Sequence, residues 1–310
     1  MNPLKRIFGR LLAGVGVLWG AATLTFIAIN ITGGDTALAI VGGPDAMPTP
    51  EVLERVRREY GLDKPLIVQY GNYLVRLAQG DLGESYRLRI PVAQAISQQL
   101  GATVQLALCA SVLAILLSVL LAVLTARRTA WIRSLISGIE LTVTSAPSFV
   151  IGILLLLLFS FHFHLFPASG SQGWRSLVLP SIALALPIAG VLTQVLRQEL
   201  EDVLEQPFIL TARARGMSDA GVRLRHALRH ALIPLVTLSG FVFASLLGGA
   251  VVVEMLFARQ GVGRLMLEAA NSKDVPIVLG ITLLAALIYV IVNIVVDILY
   301  GLIDPRVRAT

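Results

Sequence analysis

The residues best suited to chemistry are five arginines and two histidines within residues 211–234, TARARGMSDAGVRLRHALRHALIP, which we call the basic segment. They are Arg213, Arg215, Arg223, Arg225, His226, Arg229 and His230. His226 and His230 have the i,i+4 spacing of helical metal ligands, but the surrounding guanidinium groups disfavour binding of a metal cation. The pattern instead favours charge pairing with a soluble partner. A solvated helix lying on anionic lipid is the alternative, but it leaves the TARARG turn unexplained.

The small and capping residues of the basic segment indicate a compact turn followed by a helix. Ala212, Ala214 and Gly216 would let another backbone approach closely. Ser218 is expected to cap a helix over 219–230. The apolar contacts of that helix are expected from Val222, Leu224, Ala227, Leu228 and Ala231. Pro234 lies just inside the next hydrophobic stretch, so the chain should enter it abruptly.

Enzymatic motifs are missing from the sequence. None of the three lysines follows a glycine, so there is no G-x-x-x-x-G-K-[ST] phosphate loop, and G-x-S-x-G, H-E-x-x-H and C-x-x-C are also absent. Cys109 is the only cysteine and is expected to pack as a small hydrophobe. His162 and His164 lack a third metal ligand. We therefore predict no catalytic residue, no metal site and no cofactor.

Composition indicates that lipid surrounds much of the chain. Hydrophobic residues make up 56% and charged residues 14%, whereas soluble domains carry roughly a quarter charged residues. Aromatic residues are only 6% and do not alternate with basic ones, which disfavours binding of nucleic acid. The composition therefore predicts a membrane protein, in which membrane-spanning helices must hold the basic segment in place.

Six stretches are long and apolar enough to cross a bilayer. They are 11–31, 102–126, 135–161, 177–196, 232–256 and 275–300. The first is too long for the hydrophobic core of a signal peptide and is interpreted as a retained helix. Between the first two, residues 32–101 form a polar insert with two predicted helices. One runs from Pro50, capped by Thr49, to Gly61 and buries Leu53, Val56 and Tyr60; the other runs from Pro65 to Gly80 and aligns Leu66, Tyr70, Tyr73 and Leu77.

The distribution of lysine and arginine predicts the orientation. With six spans, the side that holds both termini and the basic segment carries fourteen of these residues, including Arg197, against four in the short loops opposite. That side is expected to be cytoplasmic, which places the insert outside the cell.

Polar residues and prolines within the spans have two interpretations each. Glu140, Glu254, Asn293 and Asp297 lie near span ends, where hydrogen bonds between helices are favoured over a polar lining of a translocation path. Pro147, Pro180 and Pro187 could be ordinary kinks or hinges beside such a path.

Several sequence stretches carry a resemblance to a known family. The basic segment resembles the cytoplasmic coupling loop, at about 205–234, of binding-protein-dependent ABC importer permeases of the peptide/nickel branch. PTPEVLERVRREYGLDKPLIVQYGNYL, GDLGESY, FPASG, LPSIALAL, GVGRL, KDVPIV and VDILYGLIDPRVR are also similar to that branch. Arg259 and Gln260 depart from the Trp-Pro pair that the family usually has before GVGRL.

The resemblance implies an all-α membrane protein with six transmembrane helices, the type I ABC importer permease fold, a cytoplasmic coupling helix and an extracytoplasmic insert. Residues 1–101 would hold the first helix and the insert, and 102–310 the five-helix core. The expected partners are a second homologous permease, two cytoplasmic ATPase subunits and an extracytoplasmic substrate-binding protein, in a bacterial inner membrane. Contact with the ATPase would fall to Thr211, Ala212, Arg213, Gly216, Asp219, Arg223, Arg225, His226, Arg229 and Pro234.

Three functions remain open at this point. The resemblance implies ATP-driven import of di- or oligopeptides, glutathione-like peptides, nickel or metal chelates, with ATP hydrolysed by the partner subunits. A proton- or sodium-coupled carrier is the main alternative, although no midplane acidic pair is evident in the sequence. A membrane scaffold that only recruits a soluble partner is the third.

Overall fold

The computed structural model describes residues 3–31, 36–42, 47–127 and 129–303. These residues are mostly helical, and no strand longer than the isolated Glu84–Pro91 bridge occurs among them. The helices are α1 (Pro3–Ile31), α2 (Thr36–Val41), α3 (Pro50–Glu59), α4 (Leu66–Ala78), α5 (Val92–Thr125), α6 (Ala130–Ser145), α7 (Ser148–Leu155), α8 (Arg175–Leu204), α9 (Pro207–Ala214), α10 (Asp219–Gly221), α11 (Leu228–Gly249), α12 (Val251–Leu256), α13 (Val262–Asn271) and α14 (Val275–Ile303). π-Helical turns extend α7 over Leu156–His162 and join α10 to α11 over Val222–Ala227.

Three described helices are long and apolar enough to cross a membrane by themselves: α5, α8 and the Val275–Val296 part of α14. α1 contains a shorter apolar stretch, Leu12–Ala28. Four of the predicted spans correspond to these helices, although α5 begins at Val92 and α8 continues to Leu204, beyond the predicted limits. Because α8 extends to Leu204, Arg197 lies within this helix, and not in a loop as the predicted span limit at 196 implied.

The remaining two predicted spans are bent pairs of helices. Trp131–Ser145 and Ser148–His162 meet at 102°, with Pro147 at the break. Proline has no N–H group and disfavours helical backbone in the residue before it, and Ala146 is accordingly extended. Asp219–Leu232 and Pro234–Leu246 meet at 57°. The predicted 219–230 helix therefore does not end at 230 but continues into α11 through Pro234.

The chain forms two compact units, which we describe separately. The first comprises the described parts of residues 1–103 and 260–290. Its core is formed by the first turns of α5 with α13 and α14 and includes Val92, Ile96, Leu265 and Ile277. The buried Asp274 carboxylate accepts a hydrogen bond from the Ser85 hydroxyl and from the backbone N–H groups of Tyr86 and Arg87, at 3.2 Å each, and so fixes the GDLGESY loop.

The second unit comprises the described parts of residues 104–259 and 291–310. One of its two apolar clusters joins α5, α8 and the basic segment through residues such as Ala122, Leu196 and Val222. The other joins α5, α7, α8 and α12. Large apolar side chains such as Phe241 and Leu116 are exposed, as expected for surfaces covered by lipid or by another subunit.

Two details of the sequence prediction are wrong. Tyr60 follows α3 and is 43% exposed, whereas burial was expected, because the apolar face of α3 is only partly covered. Cys109 is exposed on α5, whereas burial was expected from its apolar neighbours. An all-apolar helix surface carries no pattern that distinguishes the core side from the lipid side.

Candidate coupling surface

The basic segment is held by α9, a short helix that starts after the end of α8. Gln206 is extended and Pro207 occupies the first helical position, where a missing N–H group has no cost. Ile209 and Ala212 of α9 are buried in the same apolar cluster as Leu200 and Leu204 of α8. α9 is therefore fixed to the end of a membrane-length helix by packing.

A glycine turn and a serine cap connect α9 to the next helix. Gly216 has φ +81°, a left-handed conformation that glycine adopts without the penalty of a side chain, and its N–H donates to the carbonyl of Arg213 at 2.9 Å. The Ser218 hydroxyl accepts a hydrogen bond from the Gly221 N–H at 3.3 Å. The predicted N-cap at Ser218 is thus confirmed, and the turn reverses the chain within a few residues.

Asp219 binds two arginines across this turn. Its carboxylate accepts from Arg213 at 3.1 Å and from Arg223 at 2.9 Å, so one acidic side chain links α9 to the helix that follows. The Nη1 group of Arg223 also donates to the carbonyl of Val123 in the last turn of α5, at 3.2 Å. A cation at the C-terminal end of a helix is favoured by the helix dipole. The basic segment is therefore attached to both α5 and α8.

Some residues expected to face a partner face the protein instead. Ala212 and Arg223 are buried, Ala212 in the apolar cluster and Arg223 against α5. The apolar residues Val222, Ala227 and Ala231 also pack into the cluster. These residues hold the segment in place, and sequence alone could not show it because the side of the helix that faces the core depends on where α5 and α8 end.

The outer face of the segment combines cations with apolar side chains. Its exposed residues include Thr211, Arg213, Arg215, Arg225, Arg229 and His230. Leu210 is 66% exposed, Leu224 56% and Phe208 40%. The Phe208 and His230 rings lie 5.3 Å apart, which joins the exposed surfaces of the two helices. His226 and Pro234 are half-buried.

Such a surface suits a protein partner. Apolar side chains surrounded by arginines are typical of the buried centre of protein interfaces. Leu210 was not among the residues that the resemblance assigns to this contact, and only its exposure beside the arginines identifies it. We call this face, comprising Phe208, Leu210, Leu224, Arg225 and Arg229, the coupling surface.

A buried ion pair connects the helices behind the coupling surface. Arg197 of α8 binds Glu140 of α6 through two contacts, at 3.0 and 2.8 Å, and also contacts Thr125 of α5 and Ser137 of α6. Glu140 is 3% exposed. Nearer the helix ends, Glu201 binds Arg133 at 3.0 Å and Glu205 binds Arg127 at 3.2 Å.

The other polar residues of the predicted spans lie in different environments. Asn293 is exposed on α14, and the side chain of Asp297 lies outside the described residues. Glu254 and Arg259 are both buried at the end of α12. Arg259 donates to the Ser176 carbonyl at 3.4 Å, and burial lowers the pKa of its guanidinium below the ordinary value while the Glu254 charge opposes that change. In the described structure, Nε and Nη2 of Arg259 have no hydrogen-bond partner.

The fold is that of an ABC importer permease. A solved structure of the MetNI methionine ABC transporter in an inward-facing conformation matches with a TM-score of 0.55 at 17% identity, over 67% of this chain and 95% of that one. The likeness concerns the fold alone.

The chain belongs to the family of binding-protein-dependent transport system inner membrane components, and the model of that family matches residues 114–309. A second model, for the N-terminal part of such membrane components, matches residues 3–107. A Brucella abortus (strain 2308) protein that is named as a peptide transport system permease is 40% identical, over 97% of this chain and 98% of the relative. The glutathione transport system permease protein GsiC of Salmonella typhimurium is 35% identical, over 98% and 99%.

Proposed function

We propose that this chain is the permease subunit of an ATP-driven importer of peptides, in which it forms part of the translocation path and separate subunits hydrolyse ATP. Both full-length relatives above are named as permeases, one for peptides and one for glutathione, a tripeptide-sized substrate. The observation that carries the proposal is the coupling surface, because its apolar and cationic side chains are exposed while the residues behind them are tied to α5 and α8.

The proposed assembly includes separate ATPase subunits because this sequence contains no ATP-binding motif of the phosphate-loop type. The sequence has no phosphate-binding loop, so the energy must come from partners that carry one. We propose two cytoplasmic ATPase subunits, a second homologous permease and an extracytoplasmic binding protein that delivers the substrate. We further propose that the chain crosses the membrane six times with both termini in the cytoplasm, and that α1, α5, α8, α14 and the two bent pairs provide the spans. The division into residues 1–101 and 102–310 stays a prediction, and the compact units differ from it because residues 260–290 belong to the first.

Force would pass from the ATPase through packed side chains. Closing of the ATPase pair would draw the coupling surface inward, and the buried contacts of Ile209, Ala212 and Val222 would move α5 and α8 with it. The Asp219 bridge would keep α9 and the following helix moving together.

The arrangement of the buried acidic residues does not favour the ion-coupled carrier. A proton-coupled carrier requires an acidic group that can change its protonation state within the membrane, and a sodium-coupled one requires oxygen ligands that are free to bind the ion. Glu140, one of the buried acidic candidates, is bound on both carboxylate oxygens by Arg197. Uptake by the chain without any ATPase would nevertheless restore that alternative.

The coupling surface can be tested by charge reversal. We expect Arg225→Glu with Arg229→Glu to leave membrane insertion normal and to reduce permease-stimulated ATP hydrolysis, on the order of tenfold or more. Arg55→Glu, an exposed arginine on α3, is the matched control and should retain stimulation. Unchanged stimulation in the double variant would remove the coupling surface from the mechanism.

Substrate selection requires a separate experiment, since the binding protein does most of the selection in such systems. Thermal shift of the partner binding protein with dipeptides, oligopeptides, glutathione and nickel chelates should show stabilisation by peptides. Nickel or chelate transport, which the sequence resemblance also allows, stays a prediction. Stabilisation by nickel chelates alone would replace the peptide assignment.

A further inference from the structure

A cavity of about 260 Å³ lies in the first unit, at the ends of two apolar helices. The last turns of α1 contribute Phe26 and Asn30, and the first turns of α14 contribute Val275, Pro276 and Leu279. The rest of the wall comes from the start of α2, from α3 and α4, and from the loops after α3 and α4. The cavity therefore has an apolar end beside membrane helices and a polar end in the insert.

The polar end is rich in negative charge. Glu59, Asp81 and Glu84 line it, and Arg76 is the one cation among its described lining residues. Asp81 uses one carboxylate oxygen to accept the Gly83 N–H at 2.8 Å. The remaining carboxylate oxygens exceed what one guanidinium can neutralise, so the site as a whole favours a cation.

Aromatic rings form the wall between the two ends. Tyr60 and Tyr86 meet edge to face, with ring centroids 6.3 Å apart and an interplanar angle of 89°. Tyr73 stacks on Phe26 at 5.7 Å. Aromatic faces attract organic cations through the ring quadrupole, and the attraction grows where water is excluded.

One hydroxyl in this wall lacks a partner. The Oη atom of Tyr73 is buried, and no hydrogen bond to it occurs within the described residues. Burial raises the pKa of Tyr73 to about 12, so the hydroxyl keeps its proton and its lone pairs remain available as acceptors. A buried polar atom without a partner is destabilising, and a ligand that donates a hydrogen bond to it would remove that cost.

We propose that this cavity binds a primary ammonium group, held by the Glu59 and Glu84 carboxylates and the Tyr73 hydroxyl against the Tyr60 and Tyr86 rings. An ammonium supplies three N–H donors, whereas the wall supplies mainly acceptors. A quaternary ammonium would satisfy the rings but would leave the acceptors unpaired. The group could belong to an ethanolamine lipid whose chains follow α1 and α14, or to a soluble amine.

The test uses the purified full-length chain in lipid-free detergent. Binding of short-chain phosphatidylethanolamine is measured by native mass spectrometry against its N-acetyl derivative and phosphatidylcholine with the same chains. Glycerophosphoethanolamine, which has the headgroup without chains, is titrated separately. We expect phosphatidylethanolamine or its headgroup to bind about tenfold more tightly than the acetylated and quaternary compounds. Binding of the headgroup alone would assign the site to soluble amines, and binding only of the lipid would assign it to the membrane.

Variants separate the site from general effects on folding. Tyr73→Phe removes the unpartnered hydroxyl and should weaken ammonium binding several-fold while the empty protein stays at least as stable. Glu59→Gln with Glu84→Gln should abolish the preference for the primary ammonium, whereas Glu54→Gln, on the same helix α3 but outside the cavity, should retain it.

Equal binding of the N-acetyl lipid would overturn the proposal, as would wild-type affinity in both cavity variants. Because no transport or ATP hydrolysis is measured, either result would leave the proposed importer function unaffected.

Discussion

Arg197 donates hydrogen bonds to both carboxylate oxygens of Glu140, at 3.0 and 2.8 Å. The two residues are 57 positions apart in the chain. The pair joins α6 to α8, and Arg197 also approaches the Thr125 hydroxyl of α5 at 3.5 Å. One guanidinium group thus links three helices, two of which, α5 and α8, also hold the basic segment. Desolvating both charges has a large cost, so the contribution of the pair lies in specifying how the helices meet.

Breaking this pair on one side should destabilise the protein. We expect Glu140→Gln to lower the free energy of unfolding by about 3–5 kcal/mol, because the Arg197 charge would remain buried without its counter-ion. The measurement is thermal unfolding of the purified chain in detergent, followed by circular dichroism.

The matched control is Glu201→Gln, which breaks the more exposed contact with Arg133 and should cost less than about 1 kcal/mol. The double variant Glu140→Leu with Arg197→Met should recover most of the lost stability. Equal destabilisation by Glu140→Gln and Glu201→Gln would contradict a special role for the buried pair.

Close packing of α6 on α8 depends on Gly190. A Cβ atom at this position would overlap the Thr144 hydroxyl and lie 3.2 Å from the Glu140 carbonyl. We expect Gly190→Ala to cost about 1–3 kcal/mol by forcing the helices apart. Gly138→Ala on α6 is the control, since no atom lies within 4 Å of its Cβ position, and it should be neutral or stabilising. Thermal unfolding of both variants in detergent distinguishes packing from helix propensity.

The left-handed backbone of Gly216 should be necessary for a stable turn between α9 and the following helix. Gly216→Ala introduces no overlap, since nothing lies within 4 Å of its Cβ position, but an alanine at φ +81° is strained by about 1–2 kcal/mol. We expect faster amide hydrogen exchange across residues 213–222 and weaker stimulation of the ATPase. Gly216→Asn should have a smaller effect, because asparagine tolerates left-handed backbone better. Identical exchange in Ala and Asn variants would show that backbone strain is not the cause.

Stability of the insert should fall at alkaline pH. Burial, and then the charge of Asp274, raises the pKa of Tyr86 from 10.0 to about 12. The folded insert keeps the Tyr86 proton up to about pH 12, whereas the unfolded chain loses it near pH 10, so the contribution is complete below pH 10 and lost between pH 10 and 12. Tyr86→Phe should flatten that decline, as measured by thermal unfolding and phenolate absorbance. A slope unchanged from wild type would contradict the assignment.

Local chemistry made much of the fold predictable. Ser218 and Gly216 are recognisable because a cap and a left-handed turn depend on the residue itself and its immediate neighbours. Four spans correspond to α1, α5, α8 and α14, because a bilayer requires a long apolar helix whatever surrounds it. Pro147 was identified as a kink or hinge, but the 102° bend depends on packing that the sequence does not display.

Long-range relationships were not predictable. Arg197 was counted among the cytoplasmic arginines, and its pairing with Glu140 only follows once α8 extends to Leu204. Ala212 and Arg223 were assigned to the partner contact for the same reason, since their burial depends on the ends of α5 and α8. A single sequence contains the residues but not the register in which distant helices meet.

The elbow at Pro147 constrains the order in which this protein can enter a membrane. The final carbonyl groups of α6 have no following turn to bind them, and hydrocarbon cannot supply a hydrogen-bond donor. Thr144 at this break donates to the Pro187 carbonyl of α8 at 3.5 Å, and Gly190 lets α8 lie directly against it. Because α8 packs against this elbow, we expect the α6–α7 bend to reach its final form only after α8 has been synthesised and inserted.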